Sequence, residues 1–390
     1  MLLYRVPQIA LRAMQFLVPS DPVALILFLA FTVVVLIQLL YLVTAYSGPG
    51  FRKLKHAASN PLPPVSVVIC ARNELKNLRQ FLPLVLDQDY PEYQVVVVND
   101  CSWDESGKFL EDLALTHARL KIVTLNEQEK YQHGKKFAVS IGIKGAAYEH
   151  LVFTDADCQP AGRNWLRAMA AGFGSEKTLV LGYGAYFRAP GFLNRWIRFE
   201  TAWSALAFLS KAMRGKAYMG VGRNMAYTKT LFFKNKGFAN HYHILSGDDD
   251  LFVNEVADSR NTAVVIDPEA FTYSTPKTSF AGWVRQKNRH ISAGRLYKSS
   301  DKRFLLGWQI THFLFWTLLF TLFILKLNPE IAVTGLTLRF MTQMLITWQG
   351  FKRLGEADLI PLVPVFDVLA LVLYPVLAVT SLFYRNQHWK

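Results

Sequence analysis

Between residues 65 and 157 the sequence alternates short, continuously apolar runs with longer segments that carry one apolar face. Such runs predict strands buried on both faces, and the segments between them predict helices. The predicted strands are VSVVIC, YQVVVVND, LKIVTLN and HLVFTDAD, and the predicted helices begin at Glu74, Ser106 and Lys135. This order is typical of a mostly parallel sheet covered by helices, so the predicted fold class is α/β. Ligands of such sheets bind beyond the carboxyl ends of the strands.

Polar side chains follow three of the four predicted strands. In chain order they are Arg72, Asn73, Glu74, Asn99, Asp100, Asp104, Asp155 and Asp157. We expect them to converge at one edge of the sheet. Closely spaced carboxylates repel one another there unless a cation or hydrogen-bond donors compensate. Individual acids of this group could instead cap the helices that follow.

The pair Asp155 and Asp157 carries the most chemical information. On an extended segment, side chains two residues apart point the same way, so both carboxylates could bind one hard divalent cation, Mg²⁺ or Mn²⁺. Phosphate oxygens could complete the coordination, which suits a nucleotide diphosphate. An isolated pair of this kind also occurs as a simple helix cap, so the pair alone does not decide the function.

The segment SGDDDLFVNEV places three consecutive aspartates, residues 248–250, before a helical pattern. An acidic first turn stabilises a helix by itself, so a solvated helix start is one interpretation. The other is catalytic, because a carboxylate opposite a metal site could take a proton from an acceptor hydroxyl.

The segment WVRQKNRHISAGRLY, residues 283–297, is basic and aromatic. Gln286 and Arg289, with Arg285 and His290, could hold a diphosphate leaving group, since arginine gives bidentate contacts to phosphate oxygens. A basic helix beside a membrane has the same composition and is the alternative.

Hydrophobic residues make up 52% of the 390-residue chain, more than a soluble domain of this length normally carries. Residues 23–46 contain no charge and are long enough to cross a bilayer core of about 30 Å. This run is too bulky and starts too late for a cleaved signal peptide. Apolar sequence returns at 304–325, 331–348 and 359–384, where the middle stretch contains Arg339 and is ambiguous. The sequence predicts one N-terminal and two to three C-terminal membrane helices.

The formal net charge is +14, and basic residues flank these apolar runs, at 52–55 and 298–303. By the positive-inside tendency the central block faces the cytoplasm. The predicted domains are an amphipathic segment with a membrane helix (1–50), a cytoplasmic catalytic domain (51–300) and a C-terminal membrane region (301–390). No nucleic-acid motif is present, and the three cysteines lack zinc-type spacing.

Taken in order, these segments resemble the family 2 glycosyltransferases with membrane spans, a group that includes cellulose and hyaluronan synthases. The resemblance covers about residues 65–297 and rests on ICARNE, VVVVNDCSWDES, HGKKFAVSIG, TDADC, GVGRNMAYTK and SGDDDL. It implies a GT-A fold and a metal, Mg or Mn, held by Asp155 and Asp157. The nucleotide-sugar site that it implies consists of Ala71, Arg72, Glu74, Asp100, Lys135, Asp155, Gln286 and Arg289, with Asp100 at the uracil.

Two departures from the family's pattern matter. Where the family shows an ED pair, one residue and then DL, this chain has Gly247 followed by three aspartates, so the catalytic base is Asp248 or Asp249, with Asp248 slightly favoured. Where processive synthases have QxxRW, this chain has QKNRH, ending at His290. Without the tryptophan, processive synthesis is not implied.

The sequence therefore predicts an inverting, metal-dependent transferase. It would move a sugar from a nucleotide sugar, a UDP-sugar, to a membrane-associated acceptor in glycan, polysaccharide or glycolipid synthesis. One alternative is a polyprenyl-phosphate sugar transferase, whose phosphate acceptor needs no strong base. Another is a nucleotide-sugar-binding transporter subunit, although Arg339 and Asp367 alone give little to line a translocation path.

The predicted topology contains a conflict. Three C-terminal spans would put the basic tail, residues 385–390, outside, against the positive-inside tendency. If 331–348 lies in the membrane interface instead, the tail returns to the cytoplasm.

Overall fold

The computed structural model describes residues 21–52, 62–126, 134–244 and 246–384. The predicted amphipathic segment before the first membrane helix and the basic tail at 385–390 lie outside the described residues.

Within these residues ten strands form two sheets. They are β1 (Val65–Ala71), β2 (Tyr93–Asp100), β3 (Leu120–Leu125), β4 (His150–Phe153), β5 (Cys158–Pro160), β6 (Leu179–Leu181), β7 (Gly184–Tyr186), β8 (Met225–Thr228), β9 (Thr262–Val264) and β10 (Thr272–Ser274). The larger sheet has the order β3-β2-β1-β4-β8-β6-β9, in which β8 is antiparallel to both of its neighbours. The smaller sheet has the order β5-β10-β7.

The helices, again within the described residues, are α1 (Pro22–Tyr41), α2 (Gly48–Phe51), α3 (Leu75–Leu86), α4 (Ser106–Ala114), α5 (Lys135–Gly145), α6 (Trp165–Ala170), α7 (Phe192–Met213), α8 (Lys229–Lys234), α9 (Asp250–Val256), α10 (Phe280–Gly294), α11 (Ser299–Ile324), α12 (Pro329–Arg353) and α13 (Val363–Phe383). A π-helical turn, Leu42–Tyr46, continues α1, and a 3₁₀ segment, Ala357–Leu362, precedes α13.

The four predicted strands are confirmed as β1 to β4, and they are parallel. Successive side chains of the central strands enter opposite layers. Val67 and Val95 pack with α3 and α6, whereas Val68 and Val96 pack with α5 and α7. This two-sided burial is the reason the strands read as continuous apolar runs.

Register and close packing position the strand ends. Val68 of β1 pairs with Phe153 of β4, so the chain leaves β4 at the level of Cys70. On the covering layer, a Cβ on Gly142 of α5 would lie 2.7 Å from Val68 Cγ1. Glycine there lets α5 lie directly on the sheet, which brings Lys135, its first residue, to the same edge.

From the sequence alone, the amphipathic segment at residues 193–213 fits either an interfacial helix or an ordinary domain helix. It forms α7, which is mostly buried between the sheet and the ends of the membrane helices. Arg198, within α7, forms a buried ion pair with Glu356. The charge of Arg198 is therefore compensated inside the protein, as expected for a domain helix.

Three helical stretches are long and apolar enough to cross a membrane: Pro22–Tyr46, Ser299–Ile324 and Ala357–Phe383. By length and apolarity they correspond to the N-terminal apolar run and to the first and last of the C-terminal apolar runs. The helix α12 carries the ambiguous residue Arg339, which is 0% exposed and lies 3.0 Å from Asp367 of α13. Its charge thus points into the helix bundle.

Candidate active site

A cleft of about 530 Å³ opens at the carboxyl ends of β1 and β4. The structure brings most of the predicted site residues together on its walls: Arg72, Glu74, Lys135, Asp155, Asp157, Asp248, Asp249, Gln286 and Arg289. Two predicted residues lie elsewhere, because Ala71 and Asp100 are completely buried at the ends of β1 and β2. A contact between Asp100 and a nucleobase stays a prediction.

Asp155 and Asp157 lie in a tight turn, which corrects the expectation of an extended segment. The strand β4 ends at Phe153, and the N–H of Cys158 donates a hydrogen bond to the carbonyl oxygen of Asp155 at 3.1 Å. The turn still keeps the ligand atoms of Asp155, Asp157 and Cys158 within 4.8 Å of one another. The two carboxylates are therefore close enough to share one cation.

The donor set fits a hard divalent cation. Burial raises the pKa of Asp157 above its usual value, and the neighbouring Asp155 charge raises it further, a repulsion that a cation would relieve. Burial also raises the pKa of the Cys158 thiol well above its usual value. The sulfur therefore stays protonated, 3.0 Å from the Ser274 hydroxyl. Two carboxylates without a thiolate suit Mg²⁺ or Mn²⁺ better than zinc.

Lys135 joins the two acidic segments of the cleft. Its ammonium lies 2.9 Å from Asp155 Oδ1 and 3.0 Å from Asp248 Oδ2. Burial alone would lower the pKa of Lys135, but Asp155 and Asp248 raise it well above its usual value. The side chain therefore carries a positive charge between two carboxylates, in a position to contact an anionic ligand.

The three consecutive aspartates have different partners. Asp248 faces Lys135, and its side chain is 12% exposed. Asp249 caps α9, and its two carboxylate oxygens accept backbone hydrogen bonds from Gly222 at 2.7 Å and Asp250 at 2.8 Å. Asp250 is buried and accepts a hydrogen bond from the Tyr297 hydroxyl at 2.7 Å. Both oxygens of Asp249 are thus engaged by backbone donors, whereas Asp248 is paired with a lysine side chain.

The loops that follow β1 and β2 are hydrogen-bonded to each other. The N–H of Asn73 donates to Ser102 Oγ at 3.0 Å, and the N–H of Trp103 donates to Asn73 Oδ1 at 2.9 Å. Asp104 accepts from the N–H groups of Leu75 and Ser106, so this acid serves the helix starts, one of the two interpretations left open for it. These bonds fix the rim where the predicted nucleobase contacts lie.

The basic segment forms α10, which lines the cleft. Gln286 Nε2 donates a hydrogen bond to the Tyr186 hydroxyl at 3.1 Å, so it orients a side chain of the small sheet. Arg289 lies on the same helix, one turn further, and also lines the cleft. Both predicted residues therefore line the same cleft as Asp155 and Asp248.

Sequence reasoning missed Arg223 and Trp103. The Arg223 guanidinium donates two hydrogen bonds to the Gly184 carbonyl oxygen, at 2.7 and 3.1 Å, and lies 4.4 Å from the centre of the Tyr186 ring. Its position in GVGRNM was the available signal. Trp103 is 76% exposed and its ring lies 5.8 Å from the Arg72 guanidinium carbon. An exposed tryptophan after a strand end was a visible signal for a stacking surface.

Comparisons with known proteins agree with this geometry. Residues 66–234 match the model of the family described as "Glycosyl transferase family 2". A poly-beta-1,6-N-acetyl-D-glucosamine synthase of Staphylococcus epidermidis is 32% identical over 93 residues, which are 24% of this chain and 21% of that protein. The probable glycosyltransferase YdaM of Bacillus subtilis is 25% identical over 235 residues, which are 58% of this chain and 54% of that protein. The matched regions thus span about a fifth to about half of these relatives.

Among solved structures, the mannosyltransferase PcManGT of Pyrobaculum calidifontis, in complex with GDP-Man and Mn²⁺, is similar with a TM-score of 0.55. The likeness covers 86% of this chain and 96% of that one, at 18% identity, and it shows a shared fold. The sheet order, the cleft at the strand ends and the family match agree on the GT-A architecture. Residues 66–234 of this chain form a glycosyl transferase family 2 domain.

Proposed function

We propose that the protein transfers a sugar from a nucleotide sugar, a UDP-sugar, to a membrane-associated acceptor, with inversion at the anomeric carbon. The observation that carries this proposal is the position of Lys135 between Asp155 and Asp248. One ammonium group links the segment that could hold a metal to the segment that could hold a base. The relatives named above support the reaction class, and the candidate membrane helices support an acceptor in the membrane.

The donor would bind with its diphosphate beside Lys135. Asp155 and Asp157 would hold Mg²⁺ or Mn²⁺, which when bound neutralises charge that develops on the departing diphosphate. Arg289 and Lys135 would add positive charges within the cleft. The nucleobase would lie toward the rim at Arg72 and Glu74.

The acceptor hydroxyl would attack the anomeric carbon from the side opposite the leaving group. In this step the hydroxyl proton passes to the Asp248 carboxylate, the new glycosidic bond forms, and the bond to the nucleoside diphosphate breaks. Asp248 suits this role better than Asp249, because backbone N–H groups occupy both oxygens of Asp249. When a diphosphate attracts Lys135, Asp248 is released toward the acceptor.

The location that we propose follows from the same parts. Residues 1–50 and 301–390 would anchor the protein in a bacterial inner membrane, and residues 51–300 would form the catalytic domain on the cytoplasmic face. The product would be a polysaccharide, another glycan or a glycolipid.

The test uses purified full-length protein in native membrane lipids, with a panel of radiolabelled UDP- and GDP-sugars. We expect label to enter a lipid-phase or polymer product from a UDP-sugar, to stop on chelation, and to resume with Mg²⁺ or Mn²⁺. Asp157→Ala and the double variant Asp248→Asn, Asp249→Asn should each reduce turnover by about 100-fold or more. The matched control is Asp87→Asn, an exposed carboxylate paired with Arg163.

Undiminished turnover in both the Asp157 variant and the double variant would contradict the proposal. Retained transfer to polyprenyl phosphate by the double variant alone would instead identify a phosphate acceptor. Binding of nucleotide sugar without turnover on any acceptor would favour the transporter subunit.

A further inference from the structure

The last helix, α13, contacts the catalytic domain along its whole length. At its beginning, the Phe366 ring lies 4.9 Å from Phe199 and 5.5 Å from Trp196, both on α7. Two turns later, the Tyr374 ring lies 6.4 Å from the same Trp196. This helix therefore runs beneath α7 rather than away from it.

The end of α13 reaches the domain as well. Thr380 Oγ1 donates a hydrogen bond to Asn288 Oδ1 of α10 at 3.1 Å, and Arg295 donates to the Ser381 carbonyl oxygen at 2.9 Å. The next residue after the helix, Tyr384, lines the active-site cleft. A helix of 21 residues is about 31 Å long. If α13 crossed a bilayer, one of its ends would lie about that far from the domain.

The other three long helices behave differently. Each meets α7 near one end: Tyr46 after α1 lies 4.6 Å from Trp203, Trp308 of α11 lies 5.8 Å from Trp203, and Phe351 of α12 lies 5.9 Å from Phe199. Away from α7, the three helices pack on one another, in a cluster that contains Phe31, Leu322 and Ala332. The helices α1, α11 and α12 therefore form a bundle that extends away from the domain and contacts α7 at one end.

The distribution of polar and apolar residues over the two faces of α12 fits such a bundle. Its polar side chains Arg339, Gln343 and Thr347 are 0% exposed, four residues apart along one face. Between residues 333 and 348 its exposed large residues are all apolar: Val333, Leu338, Met341, Leu345 and Trp348. A helix with polar groups inward and apolar groups outward suits a lipid surround, although its mean hydropathy is modest.

On α13 the exposed residues form one apolar stripe. Val365, Val368, Val372, Val376, Val379 and Phe383 recur every three or four residues and are 41–81% exposed. The opposite face holds Asp367, which accepts hydrogen bonds from Trp316 Nε1 and Arg339 and so ties the helix to the bundle. An apolar stripe opposite a protein-bound face fits a helix with one side against lipid, and the contacts with the domain at both ends decide how that helix is oriented.

We propose that α13 lies in the plane of the membrane, with this valine stripe in the acyl-chain layer, and that α1, α11 and α12 are the helices that cross. The occupant of the stripe is the bilayer because the stripe is continuous with a bundle whose outward residues, such as Ile26 and Val33 of α1, are also exposed and apolar. Tyr384, the last described residue, then lies on the same side of the membrane as the catalytic domain. With two C-terminal crossings, the conflict predicted for three C-terminal spans does not arise.

This placement deepens the proposed function, on which its consequence for the acceptor rests. Tyr384 connects the in-plane helix to the cleft that contains Asp248 and Arg289. The exposed residues just before it, Leu382 and Phe383, would lie among lipids at the mouth of the cleft. An acceptor carried on a lipid could then reach the cleft from the membrane surface without leaving the bilayer.

The test measures the depth of spin labels in the full-length protein, reconstituted in phosphatidylcholine and phosphatidylglycerol vesicles. Single cysteines replace Val365, Val372, Val379 and Phe383 in a Cys70→Ser, Cys101→Ser background, where Cys158 is buried and unreactive. Depth is read from power saturation by oxygen and by a water-soluble nickel reagent. Labels at Ile26 and Val43 of the crossing segment are the matched control, and they should differ in depth by about 25 Å.

We expect the four labels on the α13 stripe to lie at one depth, within about 5 Å of each other. A depth difference of about 27 Å between Val365 and Phe383 would overturn the proposal, because it is the rise of a crossing helix. Labels shielded from oxygen and broadened by a second label would overturn it too, since another copy of the chain would then cover the stripe. None of these readouts depends on sugar transfer, so an inactive protein with four equal depths would refute the proposed function and leave the in-plane helix standing.

Discussion

At the scale of single residues, the three adjacent aspartates at positions 248–250 each contact a different kind of partner. Asp248 faces an ammonium group, Asp249 faces two backbone donors and Asp250 faces a phenol. The same residue type therefore has a different task at each position. The sequence could not make this distinction, because the partners come from Lys135, Gly222 and Tyr297, far apart in the chain.

The first prediction separates Asp248 from Asp249. Asp248→Asn should keep the fold and reduce turnover by about 100-fold or more, because the base is lost. Asp249→Asn should instead destabilise the protein by about 1–3 kcal/mol, because an amide NH₂ would face a backbone N–H. Turnover and thermal unfolding of both variants measure the difference. Equal turnover in the two variants, or an inactive Asp249→Asn of full stability, would reverse the assignment.

The second prediction concerns pH. Burial and the Asp249 charge raise the pKa of Asp250 to about 7. The folded protein then binds more protons than the unfolded chain between about pH 4 and 7, so this residue's contribution to stability is present at low pH and is lost as the pH rises through 7. Asp250→Asn keeps a polar partner for Tyr297 and should flatten the dependence of the unfolding temperature on pH. A variant with an unchanged pH slope would contradict this reading.

Site residues were predictable where they directly follow a strand or belong to a recognisable motif. Asp155 and Asp157 were found because they follow a clear strand pattern, Arg289 because it belongs to the basic segment 283–297, and Lys135 through the resemblance of HGKKFAVSIG to the family's motif. Arg223 was not found, because the hydrogen bonds that hold its side chain in the cleft go to the carbonyl oxygen of Gly184 in β7, which lies 39 residues earlier in the chain. The burial of Asp100 could not be predicted either, because the sequence of a strand end does not show which other segments pack over it.

At the scale of elements, glycines decide how closely helices approach the sheet. A Cβ at Gly142 would meet Val68 Cγ1 at 2.7 Å and Val98 Cγ2 at 2.9 Å, and both valines are buried in central strands that cannot retreat. One turn away, a Cβ at Gly145 would meet only the Val123 side chain at 3.3 Å. The two positions form a matched pair on one helix.

The third prediction uses this pair. Gly142→Ala should destabilise the protein by about 1–3 kcal/mol through overpacking and should raise the KM for the donor, because it displaces the helix that presents Lys135. Gly145→Ala should change both quantities little. Thermal unfolding and donor titration check the pair, and equal behaviour of the two variants would show that the close approach of α5 does not matter.

Element types were largely predictable, and their orientation was not. Strands β1 to β3 match the predicted runs to within a residue, because continuous apolar runs separated by amphipathic helices have few other solutions. The helix α7 was undecided, since Arg198 looked like an interfacial charge until Glu356 supplied its partner. For α12 and α13, average apolarity could not reveal which face is covered.

At the scale of the whole molecule, the catalytic cleft, the bundle and the in-plane helix form one connected structure. Lys211 of α7 lies 3.1 Å from Asp301 at the start of α11, and Asn254 of α9 donates to the same aspartate. The helix α9, which begins at Asp250 beside the cleft, is thus joined to α11 by the hydrogen bond between Asn254 and Asp301. We expect the domain to keep a fixed orientation on the membrane.

The fourth prediction concerns the cation. UDP with Mn²⁺ should stabilise the full-length protein against heat by about 2.7 kcal/mol at a ligand concentration of 100 times the Kd. UDP with a chelator should stabilise it much less, and Asp157→Asn should lose the difference. An equal stabilisation by UDP with and without the metal would show that the acidic pair does not hold one.

The central claim is that this cleft transfers a sugar to an acceptor in the membrane. Its most direct test is mass spectrometry of the products formed when the purified protein, in native membrane lipids, receives a panel of nucleotide sugars. We predict a lipid-phase or polymer product heavier by one or more sugar residues, formed from a UDP-sugar with release of UDP and absent with Asp248→Asn. Release of nucleoside diphosphate without any sugar-bearing product, or the same product from the Asp248→Asn variant, would contradict the account.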